Sequence, residues 1–395
     1  MQFFVERTVW TVPRMTDIRS GDFDGDGVRD LLYLVPPYRK FWIAIGRGGG
    51  AYRRPDPHPL EDGVPSPAEG HPLWIRNLGG DGREEIAFLA RAKPDDRAGR
   101  GTWLLVVTAL SPQGGIRAER ILPLPGWAGS SRGPFLFLFR DVDGDRTPEI
   151  VLGSDSLDRF LVWKGPAFPG GDATGGRGYA ERTFRPREIP VAAGGSSVLL
   201  TTVDLDGDGY PDIVRTGPGA IHLPGRAGRL LPRRGPRFGY DVSRYRRDAW
   251  AVPAEFNGDR EPDLLALDEE GIVRVLVSGW GPWYAEAFLL AISPGSTVLP
   301  GDFNGDGFDD LLLFVAGNRS FTVLLNDGTG RFGAAVDHAT RRGPIREVLA
   351  ADLDGDGDDD ILGILGDARG ENDAALFLSA PAIPWRPAVP GAERR

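Results

Sequence analysis

The sequence predicts an all-β fold assembled from seven similar units, and three observations predict it. A nine-residue acidic motif, first met as DFDGDGVRD at Asp22–Asp30, recurs seven times. The first residues of successive copies lie 55, 64, 63, 51, 47 and 50 positions apart. Each copy is followed by a short apolar run (LLYLV, IAFLA, IVLG, IVRT, LLAL, LLLFV, ILGIL). Runs of that length bounded by Gly and Pro read as buried strands. A period of this size marks stacked or radially arranged units, and a four-stranded propeller blade takes about forty to fifty residues. The predicted architecture is therefore a seven-bladed β-propeller, with residues 1–395 forming one domain. Length alone would have suggested two or three domains.

The elements follow in order. Residues 3–12 (FFVERTVWTV) read as a strand that completes the last blade, beside the C-terminal run Ala374–Ser379, so that the ring closes without a free edge. After the first motif come strands at Leu31–Val35 and Phe41–Ile45. Equivalent third strands are expected at Trp103–Ala109, Phe160–Trp163, Ile221–Leu223, Ile272–Val277 and Phe321–Leu325. Fourth strands are harder to place, because the intervening segments are long and irregular. Those segments are where binding residues would sit on a rigid scaffold. They include Pro55–Pro72, Arg91–Gly101 and Gly165–Tyr179.

The chemistry of the motif suits a hard cation. Copy one offers carboxylates from Asp22, Asp24, Asp26 and Asp30 and a backbone carbonyl at Val28. Copy three offers Asp141, Asp143, Asp145, Thr147 and Glu149, and copy four Asp204, Asp206, Asp208, Tyr210 and Asp212. Copy five offers Glu255, Asn257, Asp259, Glu261 and Asp263, and copy six Asp302, Asn304, Asp306, Phe308 and Asp310. Copy seven offers Asp352, Asp354, Asp356, Asp358 and Asp360. Thiolate and imidazole are absent from these sets, which disfavours zinc and copper. Flexible all-oxygen coordination fits calcium better than magnesium, so about four to six structural Ca2+ sites are expected. Copies one, four, six and seven are complete. Copies three and five carry Arg146 and Arg260 in place of the second glycine. Copy two is degenerate: Asn77, Asp81, Arg83 and Glu85 remain, with Gly79 where a ligand should stand.

Two other readings of D-x-D-x-D-G fail. An EF-hand needs a bidentate Glu at position twelve and flanking helices. Position twelve here is Tyr33, Phe88, Leu152, Arg215, Ala266, Leu313 and Gly363. A catalytic D-x-D pair of the phosphatase kind would occur once. The loop D-x-[DN]-G-D-G-x-x-D before an apolar strand resembles the FG-GAP (or VCBS) repeat of integrin α-subunit propellers and many secreted microbial proteins. Asn326–Gly333 (NDGTGRFG) is similar to the Gly-rich turn that ends such a repeat. The resemblance covers nearly the whole chain. It implies a seven-bladed propeller with each calcium loop between the first and second strands of a blade, and it implies fold far more than function.

Composition narrows the setting. The 56 Gly and 34 Pro mark the many turns of short strands. There is no cysteine, so no disulfide framework and no thiol chemistry. No run is apolar and long enough to span a membrane. Calcium loops would fill poorly in the cytosol, so an extracytoplasmic home (secreted, cell surface or periplasmic) is expected, although MQFFVERTVW does not read as a signal peptide. Of the 56 acidic residues, 24 sit at liganding positions, leaving 32 against 46 basic residues. Four to six filled sites would thus bring a chain of formal charge −10 close to neutral and leave the surface outside the loops basic.

Nearly all those bases are arginine, whose planar fork suits carboxylate, sulfate or phosphate, or else decorates a solvated surface. The cluster Arg244, Tyr245, Arg246 and Arg247 is the candidate ligand-binding loop. Trp42, Trp103 and Trp163 read as inter-blade packing, while Trp127, Trp280 and Trp283 lie in Gly/Pro loops. Four scattered histidines and the lack of G-x-S-x-G, P-loop or zinc signatures argue against an enzyme. The expected function is binding of a protein partner or an anionic glycan, with no nucleic acid, as an adhesin, a glycan-binding module or a subunit of a surface assembly. The alternative is a polysaccharide lyase on an acidic glycan, with Arg246 neutralising a uronate and Tyr245 as base.

Overall fold

The computed structural model describes residues 4–13, 15, 17–35, 39–68, 73–78, 81–91, 103–111, 114–124, 136–140, 149–153, 159–164, 187–190, 200–203, 212–215, 221–223, 250–259, 263–267, 271–277, 285–293, 295–366 and 371–379. Among them every regular element is a β-strand, 27 in all, arranged in seven antiparallel sheets. The chain divides into two compact units, Pro13–Trp250 and Met1–Val12 with Ala251–Arg395.

The chain enters on β1 (Phe4–Pro13). In the Pro13–Trp250 unit the first sheet is β2 (Asp17–Gly21), β3 (Asp30–Leu34), β4 (Lys40–Ala44) and β5 (Asp56–Pro59). The second is β6 (Trp74–Arg76), β7 (Glu85–Arg91), β8 (Trp103–Leu110) and β9 (Ile116–Leu124). The third is β10 (Leu136–Arg140), β11 (Glu149–Gly153), β12 (Arg159–Lys164) and β13 (Arg187–Pro190). The fourth shows three strands, β14 (Leu200–Val203), β15 (Asp212–Arg215) and β16 (Ile221–Leu223).

In the other unit, β17 (Trp250–Ala254), β18 (Asp263–Leu267), β19 (Ile272–Val277) and β20 (Ala285–Ala291) form one sheet. A second is β21 (Ser296–Gly301), β22 (Asp310–Val315), β23 (Ser320–Asn326) and β24 (Phe332–Ala339). The last combines β25 (Ile345–Ala351), β26 (Asp360–Gly366) and β27 (Glu371–Ser379) with β1, which lies against β27 at the edge. Six of the sheets follow chain order from edge to edge, and the last does so for β25–β27 before β1 completes it, the form of a propeller blade.

Burial explains the sequence pattern. The second strand of a sheet is covered on both faces: β3 and β26 are buried at every residue. That is why these strands read as unbroken apolar runs rather than alternating ones. The third strand β4 alternates more, with Phe41, Ile43 and Ala44 buried. Facing sheets share their cores. Leu32, Phe41 and Ile43 of the first sheet pack with Ile86, Phe88 and Val106 of the second. Leu89, Trp103 and Leu105 of the second pack with Ile150 and Leu152 of the third.

In the other unit, Phe4 on β1 is fully buried among Phe303, Phe321 and Phe377. Its ring meets Phe321 edge-on at 5.7 Å. Of the aromatic expectations, Trp103 is 1% exposed in its cluster with Arg91 stacked over its ring at 4.3 Å, and Trp42 lies parallel to Tyr33 at 6.0 Å. Trp127, Trp280, Trp283 and the Gly165–Tyr179 segment lie outside the described residues, as do Arg244, Tyr245, Arg246 and Arg247.

One expectation needs correcting. Part of Pro55–Pro72 is not an insertion, because Asp56–Pro59 is the fourth strand of the first sheet. Its DPHP sequence hides it, since two prolines and a charge do not look like a strand. Proline is tolerated there because the strand is at a sheet edge and needs no donor on its outer side.

Candidate metal centres

Each acidic motif closes a hairpin between the first two strands of its sheet. The residue before the motif pairs with its ninth residue: Gly21 with Asp30, Gly301 with Asp310 and Ala351 with Asp360. The ninth carboxylate is then drawn wholly inside, and Asp30, Asp263, Asp310 and Asp360 are all fully buried. Glu85 of the degenerate second copy is buried as well, and Leu78 N–H donates to it.

These carboxylates latch two ends of their sheet together. One oxygen of Asp30 accepts Phe23 N–H at 2.9 Å, and the other accepts Gly46 N–H from beyond β4 at 2.8 Å. Asp360 does the same with Leu353 N–H and Ser379 N–H. In the fifth copy Phe256 N–H donates to Asp263 at 2.7 Å. The first residue of each motif organises the turn itself. Asp22 accepts from Gly25 and Gly27 N–H, and Asp302 from Gly305 and Gly307 N–H. Gly25, Gly27, Gly305 and Gly307 all take positive φ, which lets the amides converge on one carboxylate.

The loops gather oxygen. Ligand atoms of Asp22, Asp24 and Asp30 lie within 4.8 Å of one another, as do those of Asp352, Asp354 and Asp356. The ninth residue joins the first of these groups and not the second. Asp141, Asp143, Asp145, Thr147, Asp204, Asp206, Asp208, Tyr210 and Glu261 lie outside the described residues, while Glu149 and Asp212 begin β11 and β15. Electrostatics disfavours such crowding without a counter-charge. Burial pushes Asp310 up to about 8, with Asp306 and Asp302 adding to it. Burial likewise raises Asp360 to about 7 and Asp30 to about 6.

A fit test separates a cation site from a merely acidic turn. In loop six one carboxylate oxygen of Asp310 and the side-chain amide nitrogen of Asn304 are buried without a well-formed hydrogen bond, the Phe303 N–H beside that carboxylate being turned to Gly301 O. Leaving an anionic oxygen buried and unpaired costs several kcal/mol. A divalent ion among Asp302, Asn304, Asp306 and Asp310 would satisfy it, and the all-oxygen donor set fits a hard ion. The acidic groups of the chain can therefore bind a metal.

Two contacts between neighbouring loops escaped the sequence reading. Position eight of a motif reaches back to position one of the copy before it. Asp309 N–H donates to Glu255 O at 2.6 Å while Glu255 N–H donates to Asp309 Oδ2 at 2.7 Å. Asp359 pairs identically with Asp302, at 2.6 and 3.1 Å. Glu84 pairs with Asp22, at 2.8 and 3.0 Å, and also takes Arg29 at 2.7 Å. Position seven, counted only as a carbonyl donor, sends its side chain over the fourth-position glycine of the preceding loop. Phe308 covers Gly258, and Asp358 lies against Gly305. Asn326, in the NDG turn, adds a further tie: its amide donates to Phe256 O at 2.9 Å and Asp309 O at 3.0 Å.

Comparison with known families bears on two of these loops. Residues 302–363 match the FG-GAP-like repeat model. That stretch carries an FG-GAP-like repeat. The matched FG-GAP stretch contains both loops six and seven, in which the interlocking is described most fully. Among solved structures, the chain is similar to a lectin of Agrocybe aegerita that recognises non-reducing terminal N-acetylglucosamine. Identity is 17%, 84% of this chain and 81% of that one are covered, and the TM-score is 0.57. It is also similar to BBS1N in complex with ARL6DN, at 13% identity, 95% and 97% coverage and a TM-score of 0.53. Both are β-propellers, and the fold of this chain is a β-propeller. No curated protein sequence matches the chain.

Proposed function

We propose that this FG-GAP-repeat chain is one seven-bladed domain, stiffened by calcium in its acidic loops, that acts outside the cytoplasm as a binding module. The observation that carries the reading is the buried, poorly satisfied oxygen of Asp310 at the closing end of a loop whose design recurs along the chain. Calcium is the ion of choice because the donors are carboxylates, an amide and carbonyls, and because six to eight flexible oxygen ligands suit a loop rather than a rigid cage. The ligands are those named for the seven copies, with the second copy weakest. Calcium at extracellular concentration keeps such loops filled, which supports an extracytoplasmic setting. Among the described residues no helix is long and apolar enough to cross a membrane.

Binding is preferred to catalysis because repeated structural loops supply a scaffold and no reacting group. Similarity to a sugar-recognising lectin and to a propeller held in a protein complex supports a glycan or protein partner. Native mass spectrometry of the protein from its source tests the reading. Bound calcium with a companion chain, or a hit on a glycan array, is expected. Conversion of an acidic polysaccharide to unsaturated sugars, followed by absorbance, would replace binding by a lyase activity.

A further inference from the structure

The Pro13–Trp250 unit contains a cavity of about 390 Å3 between its first and second sheets. One end is formed by Phe23 and Asp24 of the first acidic loop and by Arg83 of the second. Ile43, Ile45 and Leu110 give it an apolar wall. Arg53, Arg54, Asp56 and His58, on and before β5, form the polar side. Several other arginines of this chain are matched to carboxylates: Arg19 to Asp17, Arg29 to Glu84, Arg117 to Glu119, Arg274 to Glu286. Among the described residues Arg53, Arg54 and Arg83 make no salt bridge at close range, although Arg83 acts electrostatically on Asp24 at the same end of the cavity. Three guanidiniums without a close salt bridge, converging on one apolar-walled cavity, form a receptor for an anion.

We propose that this cavity binds an acidic sugar residue, a uronate or a sulfated pyranose. The proposal rests on the binding reading above and narrows it to one ligand class at one place. The forked donors of Arg53, Arg54 and Arg83 take the carboxylate or sulfate. The apolar wall of Ile43, Ile45 and Leu110 takes the C–H face of the ring. Hydroxyls have acceptors waiting. Asp56 is a free carboxylate at the rim. His58 Nδ1 sits 2.8 Å from Gly114 O, so that nitrogen carries the proton and Nε2 is left as an acceptor. The volume lies at the lower end of the range for small-molecule sites, the size of one or two sugar rings. Asp24 belongs to the cavity wall and to the first acidic loop alike, so a cation held there adds positive charge at the same end.

Calorimetric titration of the full chain in calcium buffer with digalacturonate, its neutral methyl ester and tetraglutamate tests this. Digalacturonate is expected to bind and the ester not. The double variant Arg53→Ala/Arg54→Ala is expected to weaken binding at least about tenfold. Arg83→Ala should act in the same direction, Arg53→Lys/Arg54→Lys should retain part of the affinity, and Arg319→Ala should change nothing. Melting curves of each variant exclude unfolding, since all these side chains reach solvent. Equal binding of acid and ester, or unchanged binding in the double variant, overturns the proposal. Binding of tetraglutamate in place of digalacturonate overturns the sugar and makes the partner an acidic peptide. A glycan-array or companion-chain hit unaffected by the double variant removes this cavity while leaving the binding module intact. Failure of every ligand and partner removes both.

Discussion

Asp309, Asp359 and Glu84 each clasp the first residue of the preceding loop through one backbone and one side-chain hydrogen bond. Asp359→Ala removes an acceptor from Asp302 N–H and is expected to cost about 1–3 kcal/mol. Urea denaturation checks the loss, and an unchanged ion count by native mass spectrometry separates it from loss of a ligand. Gly305→Ala meets two obstacles, a φ of +69° and the Asp358 carboxylate where its methyl would go. A cost of about 1–3 kcal/mol is expected from the backbone alone. The buried carboxylates also set a pH dependence. Asp310, Asp360 and Asp30 hold their protons more tightly folded (about 8, 7 and 6) than unfolded, where the value is 3.8. Stability of the ion-free protein is therefore greatest below pH 4 to 5 as far as these groups are concerned. It falls as pH rises from about 4 through 8. Calcium requires the ionised form, so the calcium-loaded protein should reverse that slope. Melting temperatures with and without chelator, taken at pH 5 and pH 8, show whether the two lines cross. The liganding positions were legible because D-x-D-x-D-G repeats. Position eight was not, because the other copies carry Arg29, Pro148, Pro211 and Pro262 there, so that no pattern survives comparison of the copies.

The second strands could be read from the sequence because burial on both faces leaves an uninterrupted apolar run, and the third strands because their alternating buried residues are still large and apolar. β3, β22 and β26 start at the motif's last acid, one residue before that run. The fourth strands could not, since an edge strand with one covered face tolerates residues such as the DPHP of β5. β1 is the element with the largest expected effect. It lies at the edge beside β27, and Phe4 fills the space between Phe303, Phe321 and Phe377. Phe4→Ala is expected to destabilise by about 3–5 kcal/mol, measured by urea denaturation. Deleting residues through Pro13 would bare β27 to pairing with other chains, and size-exclusion chromatography should then show aggregates.

At the scale of the whole molecule, the proposed calcium sites would tie folding stability to the free ion, because the folded loops gather oxygens that the unfolded chain scatters. Removing calcium is expected to lower the melting temperature sharply. One site contributes about 2.7 kcal/mol when the free ion is a hundredfold above its Kd. Asp354→Ala should reproduce part of that loss. One calorimetric transition for the loaded chain is expected of a single domain. Two transitions would assign separate stabilities to Pro13–Trp250 and to the remainder.

The hooks at positions seven and eight have a direction. Every one described runs from a later motif to the one before it, and Asp358 lies between two loops, with Asp302 on one side and Asp352 and Asp354 on the other. A cation entering loop six would relieve repulsion felt by loop seven, and the reverse holds by thermodynamic reciprocity. Loading at these adjacent corners should be cooperative, with a binding isotherm steeper than that of independent sites, and Asp358→Asn should flatten it.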